Sequence, residues 1–326
     1  MRTILLPAVG LLSVSAAWIA LYGWAVFDVG NGTGIDWQLV EPAAVASGPH
    51  HLEVGPIAAV EPPDVLAAAE GIVQSAALDH VAGTAIDLPP SNRIVTSNGT
   101  VLIVQELHEL CDSRFRPQLV SLRFDRSTER PQGSACITNS WWHDGVRGAA
   151  RPWAVTPRLA ADPGSERFAS NVYCVWSDGN DENRKRIFFV ASSDHGASWS
   201  RPTILSDSSM PEGASAPSIA VNEQGIVAVS WYQRPGTSEH ATLPTAALEV
   251  AATAAEGWSL WVRVSLDGGA SWLAGVRANE LSEGRDVAAA KPNYLVANAN
   301  GTFQVAWHDR HHGAEQLQTA AVEVSD

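Results

Sequence analysis

Beyond residue 90 the chain alternates short apolar runs with turn residues, and three of these runs share one layout: TSNGTVLIVQ (96–105), VNEQGIVAVSWYQR (221–234) and NANGTFQVAWHDR (298–310). Each is a turn glycine followed by β-branched and aromatic residues, the signature of a hairpin leading into a strand. Asn98-Gly99 and Asn300-Gly301 can supply the positive φ that a two-residue hairpin turn requires, with Gln224-Gly225 in the equivalent place. A fourth copy, ASNVYCVWSDG (169–179), keeps the strand and lacks the glycine turn, so a different loop is expected there. Trp176, Trp231 and Trp307 then fall at matching positions.

Two of these strands are followed by another, RIFFVA (186–191) and WSLWVRV (258–264), and each of those runs into a repeated octet, SSDHGASW (192–199) and SLDGGASW (265–272). In S-x-D-x-G-x-S-W the first serine ends a strand and the glycine lets the backbone turn. Asp194 or Asp267 accepts hydrogen bonds from turn amides, and Trp199 or Trp272 packs beneath. The repeating unit is therefore strand, turn, strand, strand, motif, strand. Units of this kind, starting roughly 50–75 residues apart, bury their faces only against neighbouring units. A strand within 37–44 is expected to complete the last one and close the ring. No helical period of comparable strength is present.

Upstream the pattern differs. Residues 3–27 are an unbroken uncharged run after Arg2, long enough for either a signal peptide or an N-terminal membrane anchor, and both mean export. This assigns 1–30 to a hydrophobic leader helix, 31–89 to an Ala/Pro-rich spacer that contributes strands, and 90–326 to the repeated sheets. The expected location is outside the cytoplasm: membrane-anchored facing outward or into a periplasm, or secreted.

A formal charge of −14 without a basic cluster excludes nucleic acid as a partner. Three cysteines, Cys111, Cys136 and Cys174, close one disulfide at most. They form no CxxC, and the adjacent histidines near Asp309 point apart on an extended chain, so neither a metal nor a cofactor is expected. Membrane contact is expected only through the leader.

The octet resembles the Asp-box of bacterial neuraminidase repeats, with Ser198 and Ser271 in place of threonine, and the chain resembles the sialidase superfamily of β-propellers over residues 90–326. That resemblance implies an all-β propeller of six blades, or five, with the octet capping an outer hairpin away from the central pocket. It also implies, for active members, a tyrosine nucleophile with a partner glutamate, an acid/base aspartate and three arginines on the substrate carboxylate. A neutral phenol suits an anionic sugar, and planar guanidinium groups hold a carboxylate bidentately.

The R-I-P motif of the family is echoed by Arg93-Ile94-Val95, with valine for proline. Tyr294 begins the first strand of its unit, and Asp309 and Arg310 end the second strand of the same unit. Arg93, Tyr294, Asp309 and Arg310 are the candidate site residues. Tyr173 and Tyr232 sit within strands and read as packing residues, and the insertion 235–257 reads as a loop over a binding face or a surface flap. The expected function is an exported propeller that binds an extracellular glycan or a cell-surface protein, the catalytic set being incompletely visible. The alternative is an active exo-α-sialidase-like glycoside hydrolase.

Overall fold

The computed structural model describes residues 41–59, 92–111, 114–139, 157–179, 185–206, 213–234, 258–279, 285–287, 292–298, 300–311 and 314–325. The leader run 3–27 and the insertion 235–257 lie outside the described residues. Among the described residues there is no α-helix, and no helix long and apolar enough to cross a membrane. The chain is all-β, built of antiparallel sheets.

Strands β1 (His51–Val54) and β2 (Ala58–Ala59) come first and are taken up by the last sheet. The first sheet then runs in chain order through β3 (Arg93–Val95), β4 (Thr100–Cys111), β5 (Arg114–Asp125) and β6 (Pro131–Asn139). The second holds β7 (Arg158–Ala161), β8 (Val172–Asp178), β9 (Arg186–Ser192) and β10 (Thr203–Ile204). The third holds β11 (Ala214–Val221), β12 (Val227–Gln233), β13 (Ser259–Ser265) and β14 (Val276–Arg277). In the fourth, β15 (Arg285–Val287) and β16 (Tyr294–Ala297) pair with β17 (Phe303–His311), and β17 pairs with β18 (Ala314–Ser325). On its other edge β18 takes up β1 and β2.

The second strands show why the sheets stack. All seven residues of β12 are buried, as are six of the seven in β8, and a strand apolar on both faces must lie between two layers. Alternation assigns the faces. Val172, Cys174 and Trp176 of β8 pack with Leu102 and Val104 of the first sheet, while Tyr173 and Val175 pack with Val227, Val229 and Trp231 of the third. Tyr232 and Leu260 of the third sheet then meet Leu295, Val305 and Trp307 of the fourth. Trp176, Trp231 and Trp307 are each the fifth residue of their strand, and each faces the preceding sheet.

The glycine turns differ in detail from a two-residue hairpin. Gly99 N donates to Thr96 O and Thr96 N to Thr100 O, and only Gly99 takes a positive φ, +82°. The same pattern recurs at Asn222–Ile226 and Asn298–Thr302, so the loop is a type I turn closed by a glycine bulge, with the preceding residue in an ordinary conformation. The unit lacking the glycine has instead a loop from Asp162 to Asn171, pinned by Asp162, which accepts from Gly164 N, Ser165 N and Ser165 Oγ.

The two octets are near duplicates in space. Ser192 Oγ donates to Asp194 Oδ1 (2.7 Å) and accepts from Gly196 N (2.8 Å); Asp194 in turn accepts from Ser198 N (2.8 Å) and Ser198 Oγ (2.6 Å). The second octet repeats these contacts at Ser265, Asp267, Gly269 and Ser271 within 0.1 Å. Each octet tryptophan reaches the preceding sheet. Trp199 Nε1 donates to Ser121 Oγ on β5, and the Trp272 ring meets Phe189 on β9 edge to face at 5.0 Å. The glycines lie equally close: a Cβ on Gly196 would stand 2.6 Å from Leu102 Cδ1, and one on Gly269 2.4 Å from Phe189 Cζ.

The strand that completes the last sheet is His51–Val54, later in the chain than the 37–44 stretch expected from sequence. Residues just before it act as a strap. Ala43 N donates to Ile204 O on the second sheet and Ala46 N to Trp272 O on the third, before β1 pairs with β18 on the fourth. Cys174 is a free thiol, and burial pushes it far above its ordinary range.

Gly196→Ala and Gly99→Ala separate two effects, because both positions have φ +82° while only Gly196 is crowded, nothing lying within 4 Å of a Cβ at Gly99. Denaturant unfolding of Gly99→Ala should show a loss of about 1 kcal/mol for the left-handed backbone, and Gly196→Ala a loss larger by ~1–3 kcal/mol for the clash. Equal losses would refute the octet's role as an inter-sheet contact.

At Asp194 and Asp267 burial pushes the carboxyls up, but hydrogen bonds from Ser198 and Ser271, then from Ser192 and Ser265 and the turn amides, bring both below the ordinary 3.8. Asp125, bonded by Ser127 and Thr128, is held at about 2. A depressed folded pKa stabilises above the unfolded value and is lost as pH falls through the folded one. Melting temperature should therefore drop as pH falls from about 4 towards 2, and the Asp194→Asn/Asp267→Asn double variant should show a flatter acid limb.

Candidate functional site

The first strands of the sheets lie beside one another in chain order, β3 against β7, β7 against β11 and β11 against β16. Because every sheet is an antiparallel meander, these strands begin at the end where the second strands finish. The glycine turns and octets occupy the other end. Register then identifies equivalent residues. Arg158 pairs with Val175, Ser218 with Ser230 and Tyr294 with Ala306, and each partner immediately precedes one of the three matching tryptophans.

Alternation sets their directions. Arg158 shares a face with Ala160, which packs between the second and third sheets, and Ser218 shares one with Ala220, which packs between the third and fourth. Tyr294 faces oppositely to its neighbour Leu295, which packs back on the third sheet. All three therefore point onward in the chain order of the sheets from the same level of the inner strands.

Desolvation lowers the Arg158 guanidinium from its ordinary range, and Tyr294 opposes that shift. Among the described residues no carboxylate pairs with Arg158. Tyr232 joins the same group: burial and then Tyr294 push its phenol far above the ordinary range, so it stays protonated at physiological pH. Its hydroxyl is buried without a hydrogen-bond partner. Tyr173, by contrast, is a packing residue, its hydroxyl bonded by Asn171 Nδ2 (3.1 Å) and its pKa pushed up to about 12 by burial.

A polar frame supports this group. Asn293, buried and next to Tyr294, accepts from Ser230 Oγ (2.6 Å) and donates through Nδ2 to Ala216 O (2.6 Å). Ala216 has φ +48°, an uncommon conformation for alanine, and lies in a bulge where the β11–β12 register shifts between Ser215 and Ser218. At the rim, the Arg234 guanidinium lies 5.2 Å from the Trp258 ring centroid.

The sequence candidates are distributed around this end. Tyr294 lies on the first strand of its sheet at the register of Arg158. Arg93 pairs with Ile103, one residue out of register from Arg158 and Tyr294, at the level where the other inner strands carry the core residues Leu159, Ile219 and Leu295. It points to the face opposite Ile94, which packs towards the second sheet, and its Nε is buried without a partner. Asn92, immediately before β3, is buried with its Oδ1 likewise unpartnered. The backbone of Asp309 and Arg310 pairs with Gln316 and Glu315 at the end of β17, and their side chains lie outside the described residues. Arg158 was missed in the sequence. Its signal, a strand opposite VYCVW, emerges only once that pairing places it beside Val175. Among the described residues no group of three metal-binding side chains occurs.

No family model matches the chain, and no curated protein matches it. Solved structures similar to it include a protein of unknown function from Dyadobacter fermentans, 10% identical over 72% of this chain and 75% of that one, with a TM-score of 0.36. Another is the NanB sialidase of Streptococcus pneumoniae, 11% identical over 71% of this chain and 30% of that one, TM-score 0.37. A third is a Hadza microbial sialidase, 13% identical over 65% and 42%, TM-score 0.36. The chain thus spans less than half the length of either sialidase. Likeness of this size assigns no activity.

A desolvated cation without a carboxylate partner destabilises the chain unless an anion is supplied. Arg158→Met should therefore leave stability to denaturant unchanged or raise it. Sulfate should raise the melting temperature of the parent more than chloride at equal ionic strength, and that difference should vanish in Arg158→Met. A loss of more than about 1 kcal/mol on substitution would mean that Arg158 is already paired.

Proposed function

We propose that this chain is an exported, sialidase-like Asp-box propeller that binds the carboxylate of an extracellular glycan at the open end of its inner strands. The observation that carries the proposal is Arg158: a part-buried guanidinium, without a carboxylate partner among the described residues, at the same register as Tyr294. In low dielectric such a cation gains most from a planar anion held by two N–H groups. The octets fit the Asp-box in sequence, and four sheets stacked by their faces, with an N-terminal strand completing the last, fit a propeller ring of five or six blades. In this reading residues 1–30 export or tether the protein, and its partner is a glycan, or a protein bearing one, outside the cell.

A second reading is hydrolysis, with Tyr294 as nucleophile against an anionic sugar held by Arg158. It is favoured by the shared register of the two residues on the inner strands. A neutral phenol can attack where a carboxylate would be repelled, provided a nearby carboxylate takes its proton. Asp309 is the candidate for that role.

The test uses the full chain with an aryl α-sialoside carrying a fluorescent phenol. Binding weakened at least about tenfold in Arg158→Ala supports the carboxylate site, and phenol release that disappears in Tyr294→Phe supports hydrolysis. Failure of the parent to bind the sialoside overturns both readings.

A further inference from the structure

The triplet Asn-Gly-Thr stands at 98–100 and again at 300–302. Both copies lie on glycine turns, the first between β3 and β4 and the second between β16 and β17, and both asparagines are exposed. The turn itself demands neither the asparagine nor the threonine, since the third sheet closes the same loop with Gln224, Gly225 and Ile226. The turns also differ in their surroundings. Gly225 is buried, and a Cβ on it would meet Phe168, Ser165 and Asp162. Nothing lies within 4 Å of a Cβ at Gly99, and the nearest atoms to one at Gly301 all belong to Gln224, itself exposed. The triplet is thus present where the turn is open and absent where a neighbouring loop covers it.

The two side-chain amides are arranged alike. Asn98 Oδ1 accepts from Thr96 Oγ1 (2.6 Å) and Thr100 N (3.0 Å), and Asn300 Oδ1 accepts from Thr302 N (3.1 Å) and Thr302 Oγ1 (2.8 Å). The carbonyl oxygens are therefore engaged inside the turns, and neither Nδ2 has a hydrogen-bond partner among the described residues. An amide nitrogen carries two hydrogens, so one can be replaced by a substituent while the amide stays planar and Oδ1 keeps its bonds. On the surface turn of an exported chain, Asn-x-Ser/Thr is an acceptor for an N-linked sugar.

We propose that Asn98 and Asn300 are N-glycosylation sites, each carrying a glycan on Nδ2. This rests on the export reading of residues 1–30, because the donor, an oligosaccharide on a polyprenyl diphosphate, is met by a chain crossing the export membrane. In the transfer Nδ2 forms a bond to C1 of the first sugar. The C1–O bond to the diphosphate breaks, its electron pair leaving with the diphosphate, and the amide gives up one proton. Both turns lie at the octet end of the sheets, so the glycans project from the end opposite Arg158.

The experiment takes the full chain from the cells that make it, records whether it lies outside the cytoplasm, and reads the peptides holding Asn98 and Asn300 by tandem mass spectrometry. Both asparagines should carry sugar. Thr302→Ser should retain the glycan at Asn300 and Thr302→Val should abolish it, with Asn98 modified in each. Asn300→Gln should also abolish it, and puts on the fourth sheet the residue that the third already uses in this turn. Exported chain with both asparagines unmodified, or only deamidated as Asn-Gly pairs are prone to be, would overturn the inference and leave the export reading intact. Sugar confined to the further Asn-Gly-Thr at 31–33 would do the same. Chain retained in the cytoplasm would overturn both.

Discussion

The constraint on which the architecture depends is the two-sided burial of the second strands. A strand such as β12, with every residue from Val227 to Gln233 buried, is stable only when sheets cover both of its faces. Each sheet is thus incomplete alone, and every feature that repeats along the chain serves the contact between one sheet and the next. The matching tryptophans fill the interface with the preceding sheet. The octet glycines touch Leu102 and Phe189 across it, and Arg263 crosses it to the Leu205 carbonyl. Seen this way, the duplicated octet is a joint whose chemistry is spent locally on its own serines and whose shape is spent on the neighbouring sheet.

The same constraint explains the strap. The third and fourth sheets end in short outer strands or in none of their own, and an edge left open is both unpaired and exposed. Residues 41–59 cross from Ile204 to Trp272 and then complete the β18 edge, so one early segment covers three outer margins. Ala43 and Ala46, too small to need a pocket, fit against the cores they cross. Pairing of β1 with β18, far apart in sequence, carries a loop-closure entropy that grows only slowly with that separation.

Where the interfaces reach the ends of the inner strands, burial continues but the residues become polar. Arg158, Ser230, Tyr232, Asn293 and Asn92 occupy places that the packing rule alone would give to apolar side chains. Some of them satisfy one another, as Ser230 and Asn293 do, and others have nothing. Departures from local consistency concentrate where a protein acts, since their cost has to be offset by a ligand. The opposite end carries orphans as well, His195 Nδ1 and Trp272 Nε1, beside carboxylates that are satisfied. There Asp162, Asp194 and Asp267 are bonded by their own loops, and the polar groups serve architecture.

The sequence made the strands, the octets and the matching tryptophans legible, because glycine turns and serine–aspartate bonding are decided within a few residues. Closure by His51–Val54 was not legible at the residue level, since a strand with Leu52 alone buried inside an Ala/Pro-rich stretch carries little periodicity. Arg158 was hidden for a different reason. Its strand has four residues and is separated from its partner by the long Asp162–Asn171 loop, so nothing local fixes its register. Arg93 shows the converse: a motif echo drew attention to an arginine whose pairing with Ile103 sets it one step from the ring position. One residue in a strand reverses the face. Arg93 therefore points where the other sheets bury leucine and isoleucine. An arginine acts on what its face meets, and in this chain the second sheet, through Arg158, presents a guanidinium on the face that Tyr294 shares.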